Sequence, residues 1–277
     1  MKQIKEAELA IITVNYENYP VTEEFLESFE KQSDQNFVVY IADISNTKQK
    51  IKERPFIRII QGENKGYAHG VNLGLKQAIG NGLSRFAIIN NDTEVDVKFS
   101  NNVVKSIDKN KKASMGGKIY YFSGYEYHKS RYKKDDLGKV FWYAGGFVDW
   151  NHATVHHRGV DEVDTDQYNQ FEETGFVTGC LTCFDKDVLD KVGFWDESYF
   201  LYYEDADWCE RAKRRGIKLY YDPSIIIWHK NAQSTGGSGS SLHQKYQESS
   251  RRRFAMKYAP LKTKLHLLKN RLIKTKA

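Results

Sequence analysis

The first 110 residues alternate short apolar segments with segments of helical periodicity, and this alternation constrains the fold more than any other feature. The run LAIITVNY at residues 9–16 is apolar and β-branched, as is typical of a buried parallel strand, and PVTEEFLESFEKQ at residues 20–32 follows with helical spacing. Further strands are predicted in NFVVYIADIS, FIRIIQG and RFAIINND, and a second helix in KGYAHGVNLGLKQAIG. The pattern predicts an α/β protein with a mostly parallel central sheet flanked by helices.

Polar residues stand where these predicted strands end. Ligands of parallel α/β sheets bind beyond the carboxyl ends of the strands, so residues 13–16, Asp43 and residues 90–92 are expected to meet in one cleft. Three glycines spaced four apart in residues 66–74 predict a smooth helix face that approaches the sheet or a ligand closely. G-x-G-x-x-G is absent after the first strand and G-x-x-x-x-G-K-S/T is absent throughout, which argues against dinucleotide-binding and P-loop enzymes.

Composition and charge limit the class of protein. A chain of 277 residues with 40% hydrophobic and 14% aromatic content can build the core of one large domain or two small ones. The sequence contains no apolar run long enough to span a membrane, and the charged start MKQIKEAELAIITV lacks the apolar stretch of a signal peptide, so a cytoplasmic location is expected. Cys180, Cys183 and Cys209 cannot all pair, and CLTC lacks a second pair of zinc ligands, which favours buried free thiols.

From about residue 110 the regular alternation gives way to aromatic, polar segments such as VFWYAGGFVDWNHATVHHRG. Loops of this kind commonly carry specificity. His152, His156 and His157 have no acidic or cysteine partner at metal-ligand spacing, so a loop role is favoured over a zinc site. Regular structure is predicted again in GFVTGCLTCFDKDVL and in two strands, IKLYY and SIIIWH.

The stretch FLYYEDADWCERAKRRG at residues 200–216 places four acids ahead of a basic cluster. Asp207 and Glu210 each have an arginine four residues later, which predicts ordinary surface pairs on a helix that ends near Gly216. Glu204 and Asp205 stand where that helix should begin. The local sequence leaves two interpretations of them open: helix capping with dipole compensation, or a catalytic carboxylate.

The C-terminal stretch KYAPLKTKLHLLKNRLIKTKA carries many lysines and no acids. Its leucines recur at helical spacing, at Leu261, Leu265, Leu268 and Leu272. This pattern predicts a basic amphipathic helix that lies on an anionic membrane surface, packs on its own domain, or binds a partner, which leaves a homo-oligomer open. Without a stripe of alternating aromatic and basic residues, binding to nucleic acid is not expected.

Several of these stretches, taken together and in this order, resemble the family 2 glycosyltransferases, particularly their bacterial rhamnosyltransferase-like branch. They are IITVNYEN, ADIS, ENKGYAHGVNLGLKQA, IINNDTEVD, WYAGG, HHRG, the block from Val177 to Gly216, and IIIWHKNAQSTGG. The resemblance covers residues 8 to 255 and implies the GT-A fold. It implies a domain over residues 1–235, with a nucleotide-binding half at about 8–110 and an acceptor-binding half at about 111–235. A flexible loop and a basic helical extension would occupy residues 236–277.

The activity that this resemblance implies is inverting transfer of a sugar from a nucleotide donor to a glycan or lipid-linked acceptor in the synthesis of cell-surface polysaccharide. Rhamnose from dTDP-rhamnose is the first expectation. UDP-hexoses and UDP-galactofuranose are alternatives, as is a non-catalytic sugar-binding or scaffold subunit. Such an enzyme would work in the cytoplasm or on the inner face of the cell membrane.

The resemblance also implies a set of nucleotide-sugar contacts. These residues are Thr13, Asn15, Asp43, Asn64, Gly66, Asn72, Asn90 and Asn91. Asp43 matches the aspartate that contacts the base, and a carboxylate can accept the imide N–H of uracil or thymine. Its alternative role is that of a cap at the end of a strand.

The segment INNDT stands in the place of the family's D-x-D metal motif, with Asn90 where the first acid is expected. The resemblance therefore makes Asp92, His229 of IIIWHK and the substrate diphosphate the ligands of Mg²⁺ or Mn²⁺. The alternative for His229 is a polar residue at the end of a strand.

YYEDADW resembles the family's ED motif, which makes Asp205 the catalytic base. Glu204 would position the acceptor or brace Asp205. The segment STGGSGSS, followed by YQESSRRRF, would order over the diphosphate and bring Arg251 and Arg252 to it, unless it is a linker followed by surface arginines.

Overall fold

The computed structural model describes residues 7–230 and 241–274, with the side chains of 7–230 and 244–269. The strands are β1 Leu9–Asn15, β2 Phe37–Asp43, β3 Ile57–Gln61, β4 Arg85–Ile89, β5 Thr93–Val95, β6 Ala113–Tyr121, β7 Phe141–Tyr143, β8 Gly146–Asp149, β9 Thr154–His157, β10 Glu172–Glu173, β11 Leu181–Asp185 and β12 Lys218–His229. The helices are α1 Tyr19–Glu30, α2 Tyr67–Gly80, α3 Phe99–Lys109, α4 Lys186–Val192, α5 Glu204–Arg214, α6 Ser241–Tyr258 and α7 Leu261–Lys274.

Four parallel strands form the N-terminal half of the sheet, in the order β4-β1-β2-β3. β1 and β2 are buried along their whole length, as their continuous apolar runs predict. The glycine-bearing face of α2 packs on β1, because a Cβ on Gly74 would come within 2.5 Å of Ile12. The predicted strands and helices of residues 9–89 are therefore confirmed, and the glycine face serves the sheet.

The C-terminal half turns the parallel sheet into a mixed one of ten strands. β11 runs antiparallel between β4 and β6, and β12 is parallel to β6. IKLYY and SIIIWH, predicted as two strands, form the single strand β12, whose pairing with β6 shifts register between Asp222 and Ile226. This irregularity keeps the chain in the sheet across DPS, where the sequence pattern indicated a break.

The aromatic segments after residue 110 contain a hairpin of β8 and β9, outside the main sheet. His156 and His157, predicted to lie in a loop, belong to β9, whereas His152 lies in the turn and contacts Asp149 at 2.6 Å. Burial lowers the pKa of His157 to about 4, which keeps this imidazole neutral. The three cysteines are buried free thiols, as predicted.

Residues 231–240 lie outside the described residues, and they include most of the predicted STGGSGSS loop. Two helices follow this stretch. α6 packs on the main core, where Phe254 is fully buried. α7 contacts α6 and the β8–β9 hairpin but leaves Leu261, Leu265 and Leu268 exposed. In the part of the chain that the structure describes, no helix is long and apolar enough to cross a membrane.

Asp207, predicted to form a surface pair, is instead completely buried. Arg211 donates to Asp207 at 2.8 Å, as its spacing predicts, but Lys257 and Tyr258 of α6 also donate to it at 2.8 Å each. Lys257 reaches Asp196 as well, at 2.5 Å. Asp207 therefore fastens α6 to α5. Periodicity within one helix could not indicate this, because Lys257 and Tyr258 come from a helix 50 residues further along the chain.

The second predicted pair on α5 is wrong in its partner. Glu210 pairs with Lys213, three residues along the helix, whereas Arg214 stacks on the ring of Tyr258. Glu210 is also buried. The pairing changes because α6 covers this face of α5 and offers Arg214 an aromatic surface.

We expect Asp207→Asn to lower the free energy of unfolding by about 1–3 kcal/mol, because it removes the buried charge to which Arg211 and Lys257 donate. Urea denaturation would measure the loss. The matched control is Asp108→Asn, which removes an exposed, ion-paired carboxylate and should cost less than about 1 kcal/mol. Equal losses in the two variants would contradict the role given to Asp207.

Candidate active site

The ends of β1, β2 and β4 meet at one edge of the sheet, as the strand pattern predicts. Asn15 lies beside Asp43 in the β1–β2 register and donates to its carboxylate at 3.0 Å. The side-chain oxygen of Asn15 accepts from Thr22 at 2.9 Å, and Thr22 in turn accepts from Asn91 at 2.8 Å. A chain of buried hydrogen bonds therefore links the ends of three strands through helix α1.

Asp43 is held in one orientation by groups from three segments. Its Oδ1 accepts from Asn15 and from the backbone N–H of Ser45, and its Oδ2 accepts from the hydroxyl of Tyr19 at 3.0 Å. Lys48 lies 3.9 Å away and adds a positive charge. A carboxylate oxygen can accept two hydrogen bonds, and Oδ2 receives one from the described residues, so it can take a second donor.

Three predicted nucleotide contacts are buried among protein groups. Thr13, Asn15 and Asn72 expose at most 1% of their surface. Asn72 donates to the Trp195 carbonyl at 2.9 Å and to Glu197 at 2.8 Å, and its oxygen accepts from the Trp195 N–H. In the described residues Asn15 and Asn72 hold neighbouring segments, and the contact of these three residues with the nucleotide stays a prediction. The sequence does not distinguish a polar side chain that meets a ligand from one that holds another segment.

The start of α2 is locked onto the segment before α5. Gly66 has a φ of +100°, and a Cβ there would collide with the backbone of Phe200. The N–H of Tyr67 donates to the Phe200 carbonyl at 3.0 Å, and the side-chain oxygen of Asn64 accepts from the Gly66 N–H at 3.2 Å. Glycine is required at this position because two backbones approach closely with a positive φ. Gly66 and Asn64 shape the site through the backbone.

Asp92 and His229, the predicted metal ligands, lie together. Asp92 follows β4, and His229 ends β12 opposite Thr93 of β5, so that His229 Nε2 is 3.1 Å from Asp92 Oδ1. Both residues are buried, and His229 packs against the ring of Trp142. The other imidazole nitrogen of His229 has no hydrogen-bond partner among the described residues.

Asn90, in the place of the first acid of the metal motif, connects β4 to α2. Its side-chain oxygen accepts from the hydroxyl of Tyr67 at 2.9 Å, and its backbone N–H donates to the Cys180 carbonyl at 3.1 Å. Within residues 7–230 and 241–274, no three His, Cys, Asp or Glu side chains cluster around a possible ion. That Asp92 and His229 hold a cation here stays a prediction.

Glu204 and Asp205 begin α5 on a strained backbone. Tyr202 and Tyr203 both have φ near +67°, the left-handed region that aromatic residues rarely adopt. Asp205 Oδ2 accepts from the Gly179 N–H at 2.8 Å, and Oδ1 accepts from the Ala206 N–H at 2.8 Å. Two donors fix the carboxylate of Asp205, which is partly exposed.

Glu204 is in a different environment, although it is the next residue. It is 6% exposed, and its Oε2 has no hydrogen-bond partner among the described residues. Burial, and then the negative charge of Asp205, raise the pKa of the Glu204 carboxyl well above its ordinary range. Burial also raises the pKa of Asp205, although the N–H groups of Gly179 and Ala206 oppose this effect.

The two parts of the site meet at Tyr67 and Cys180. The pKa of the Tyr67 hydroxyl is raised well above its ordinary value by burial and then by Glu204, with smaller effects from Asp205 and Asp92. Burial raises the pKa of the Cys180 thiol, and Asp92 and Asp205 raise it further, so this thiol stays protonated. The carboxylates of the β4 end and of α5 therefore act on the same small region.

Arg251 and Arg252 lie on α6. Arg251 donates to the His152 carbonyl at 2.8 Å and to Glu248 at 2.9 Å. Arg252 is 3.7 Å from Glu248. The structure thus gives Arg251 a role in joining α6 to the β8–β9 hairpin.

Sequence reasoning missed Tyr19 and Tyr67, whose hydroxyls donate to Asp43 and Asn90. It also missed Gly179, whose N–H holds Asp205. Both tyrosines stand within two residues of a helix start, next to stretches already singled out, but a tyrosine in that place is as often a core residue. A backbone donor such as Gly179 leaves no sequence signal.

Comparisons with known proteins place this arrangement in a family. The model of glycosyl transferase family 2 matches residues 10–193. The chain is 22% identical over 206 residues to a dTDP-rhamnosyl transferase, RfbF, of Shigella flexneri, covering 71% of this chain and 60% of that protein. It is 26% identical over 253 residues to an N-acetylglucosaminyl-diphospho-decaprenol L-rhamnosyltransferase of Mycobacterium tuberculosis, covering 84% of this chain and 79% of that protein.

Solved structures share the fold at low sequence identity. GalNAc-T7, solved with UDP, GalNAc and Mn²⁺, superposes with a TM-score of 0.66 at 15% identity, over 88% of this chain and 47% of that one. The mannosyltransferase PcManGT of Pyrobaculum calidifontis, solved with GDP-Man and Mn²⁺, gives a TM-score of 0.54 at 12% identity, over 94% of this chain and 68% of that one. The sheet order, the family match and these neighbours agree that the chain has the GT-A fold and belongs to glycosyl transferase family 2, as a glycosyltransferase with rhamnosyltransferase relatives.

Proposed function

We propose that the chain is an inverting glycosyltransferase in which Asp205 takes the proton of the acceptor hydroxyl while that oxygen attacks the anomeric carbon of a nucleotide sugar. The observation that carries this proposal is the contrast between two adjacent carboxyl groups. Asp205 is partly exposed and accepts two backbone N–H groups, whereas Glu204 is buried with an unpartnered oxygen. An inverting transfer needs one ionised carboxylate at the acceptor.

The proton of this carboxyl pair resides on Glu204. Two neighbouring carboxyl groups hold one negative charge more readily than two, because each charge raises the pKa of the other group. Backbone donors stabilise the charge on Asp205, whereas Oε2 of Glu204 has none among the described residues. Asp205 is therefore the ionised member and the base, and burial raises its basicity. Glu204 would brace Asp205 or position the acceptor.

The strained residues before α5 serve this arrangement. A left-handed backbone at Tyr202 and Tyr203 costs free energy, on the order of 1–3 kcal/mol each. It turns the chain sharply from Phe200, which is held by α2, into the first turn of α5. The strain places Asp205 beside Gly179 and fixes the base before the acceptor arrives.

The leaving nucleoside diphosphate would lie on the other side of Tyr67 and Cys180, near Asp92 and His229. A carboxylate and an imidazole nitrogen 3.1 Å apart suit Mg²⁺ or Mn²⁺ when diphosphate oxygens complete the coordination, so the donor set fits a divalent cation. When bound, the cation neutralises charge on the departing diphosphate. Asp92 and His229 would hold the cation, and the Asn90–Tyr67 hydrogen bond keeps that edge in register.

The nucleotide would bind in the half of the domain at about residues 8–110, with its base near Asp43. The remaining acceptor capacity of Asp43 Oδ2 suits the imide N–H of thymine or uracil. We take dTDP-rhamnose as the first donor, supported by the two rhamnosyltransferase relatives, and UDP-hexoses and UDP-galactofuranose as the alternatives.

The acceptor would bind in the half at about 111–235. A lipid-linked acceptor is supported by the name of the Mycobacterium relative.

A donor screen tests the activity. dTDP-rhamnose, UDP-glucose, UDP-galactose and UDP-galactofuranose are incubated with the protein, with and without Mn²⁺, and release of the nucleoside diphosphate is measured. We expect release from one of these donors above the protein-free rate. No release from any donor would favour the non-catalytic sugar-binding alternative.

Asp205→Asn should lower turnover by roughly 10²–10⁴-fold, because an amide cannot accept the acceptor proton, and should change donor affinity by less than about two-fold. Steady-state release of nucleoside diphosphate and calorimetric titration of the donor measure the two effects. The control is Asp108→Asn, which changes an exposed carboxylate outside the proposed site and should keep full turnover. Near-normal turnover in Asp205→Asn would remove the assignment of the base.

Glu204→Gln should stabilise the protein progressively as the pH rises. The folded-state pKa of Glu204 is raised, so its contribution to stability is fully present below the unfolded-state pKa and is lost as the pH rises through the folded-state pKa. Glutamine does not titrate and avoids this loss. Thermal unfolding of parent and variant between pH 4 and pH 9 measures the difference, with the exposed Glu173→Gln as control. A pH-independent difference would contradict the raised pKa.

Asp92→Ala and His229→Ala should each weaken donor binding by about ten-fold or more with Mn²⁺ present, and should change it little when a chelator is present. Calorimetric titration under both conditions separates the effects. His157→Ala is the matched control, because His157 also packs on Trp142 but does not belong to the pair of Asp92 and His229. If the chelator leaves the parent's donor affinity unchanged, the enzyme works without a cation.

A further inference from the structure

Helix α7 exposes a stripe of three leucines. Leu261, Leu265 and Leu268 are 71%, 57% and 43% exposed. At 3.6 residues per turn these positions fall on one face of the helix. Leucine side chains exposed in a row on one helix face are typical of a surface that binds a partner.

The opposite face of α7 fastens the helix to the domain. The Thr263 hydroxyl donates to the Trp150 carbonyl at 2.8 Å, and Thr263 is buried. One turn later, Leu267 packs against a small cluster formed by Ala153, Ala255 and Ala259. The sequence left open whether the leucine face packs on its own domain. Here the domain takes the other face, which aims the leucine stripe away from the protein.

Basic residues flank the stripe on both sides. Helical spacing puts Lys262 and Lys269 along one flank and Lys264 along the other. The 29 residues from Ser249 to the end contain ten of the 42 Lys and Arg and no Asp or Glu, which leaves 32 Lys and Arg against 36 Asp and Glu in the rest of the chain. The positive charge is therefore concentrated in the segment that carries the stripe.

We propose that this face docks on a lipid bilayer that contains anionic lipid, with α7 lying in the plane of the interface. Leucines bordered by lysines match such a surface, because the leucines enter the acyl boundary while the lysine heads stay at the phosphates. A second copy of the chain fits the face less well, since two lysine-flanked stripes would bring like charges together. The charge concentration selects an anionic surface over a neutral apolar one.

The elements that support α7 contact the segment just before Glu204 and Asp205. The carbonyl of Ala153, in the cluster on which α7 packs, accepts a hydrogen bond from the Tyr203 hydroxyl at 3.4 Å. Ser250 of α6 donates to the Leu201 carbonyl at 2.8 Å. These contacts tie the extension to the segment that leads into Glu204 and Asp205. If the proposed transferase function holds, docking would bring the base to the depth at which the reacting end of a lipid-linked acceptor emerges.

Vesicle sedimentation of the full chain tests the proposal, without donor or acceptor. The vesicles are pure phosphatidylcholine or an equimolar mixture with phosphatidylglycerol. We expect the parent to bind the mixed vesicles, to bind pure phosphatidylcholine at least about ten-fold more weakly, and to lose affinity as salt rises. L261Q/L265Q/L268Q should reduce binding at least about a hundred-fold, and K262Q/K264Q/K269Q about ten-fold or more. I59Q/V97Q, with comparable exposure elsewhere on the surface, should bind like the parent.

Three results would overturn the proposal. The first is a parent that stays in the supernatant with anionic vesicles at low salt. The second is a leucine variant that dissociates in sedimentation velocity while the parent is oligomeric, which would show that a second copy covers the face. The third is a loss of thermal stability in the leucine variant but not in I59Q/V97Q, which would show that the face packs inside the protein. Nucleotide-sugar hydrolysis without vesicles, measured on the same samples, separates failure of docking from failure of the proposed transferase function.

Discussion

The site depends on the docking of the segment 195–200 against helix α2. Phe200 accepts the Tyr67 N–H where Gly66 permits two backbones to meet, and Asn72 holds both the N–H and the carbonyl of Trp195. These bonds fix the position of the chain just before α5. The left-handed turn at Tyr202 and Tyr203 therefore determines where Glu204 and Asp205 lie. Asn72 therefore helps to position Glu204 and Asp205 through the segment that begins at Trp195.

Much of this fold could be predicted from the sequence, and what could not has a consistent physical reason. The strands β1, β2 and β4 have continuous apolar runs that lead into polar residues, so both their order along the chain and their shared edge follow from local pattern. Asp207 is the clearest failure. Its spacing to Arg211 matches a surface pair, but Lys257 and Tyr258 bury it from a helix 50 residues further on. Periodicity reports the near face of a helix and carries no information on a distant element that later covers it.

The same limit applies to the polar residues of the cleft. Asn15, Asn72 and Asp92 look alike in sequence, because each is a polar residue within or beside a conspicuous motif. The structure separates them by what their atoms meet: Asn15 bonds Asp43 and Thr22, Asn72 bonds a backbone segment, and Asp92 lies against an imidazole. A motif can therefore locate a site without assigning its contacts, because assignment depends on which hydrogen-bond capacity the fold has already used.

The buried carboxyl groups of Glu204 and Asp207 have opposite effects on the stability of the fold. Glu204 is held out of water without a partner for Oε2 among the described residues, next to a second carboxylate, which is an arrangement that folding alone would not favour. The protein offsets it nearby, since Asp207 on the next turn of α5 receives Arg211, Lys257 and Tyr258. Helix α6 supplies two of these donors. It also contributes Ala255 to the small cluster on which Leu267 of α7 packs. Helix α6 thus stabilises α5 through Asp207 and also orients the leucine face of α7 that we propose to dock on the membrane.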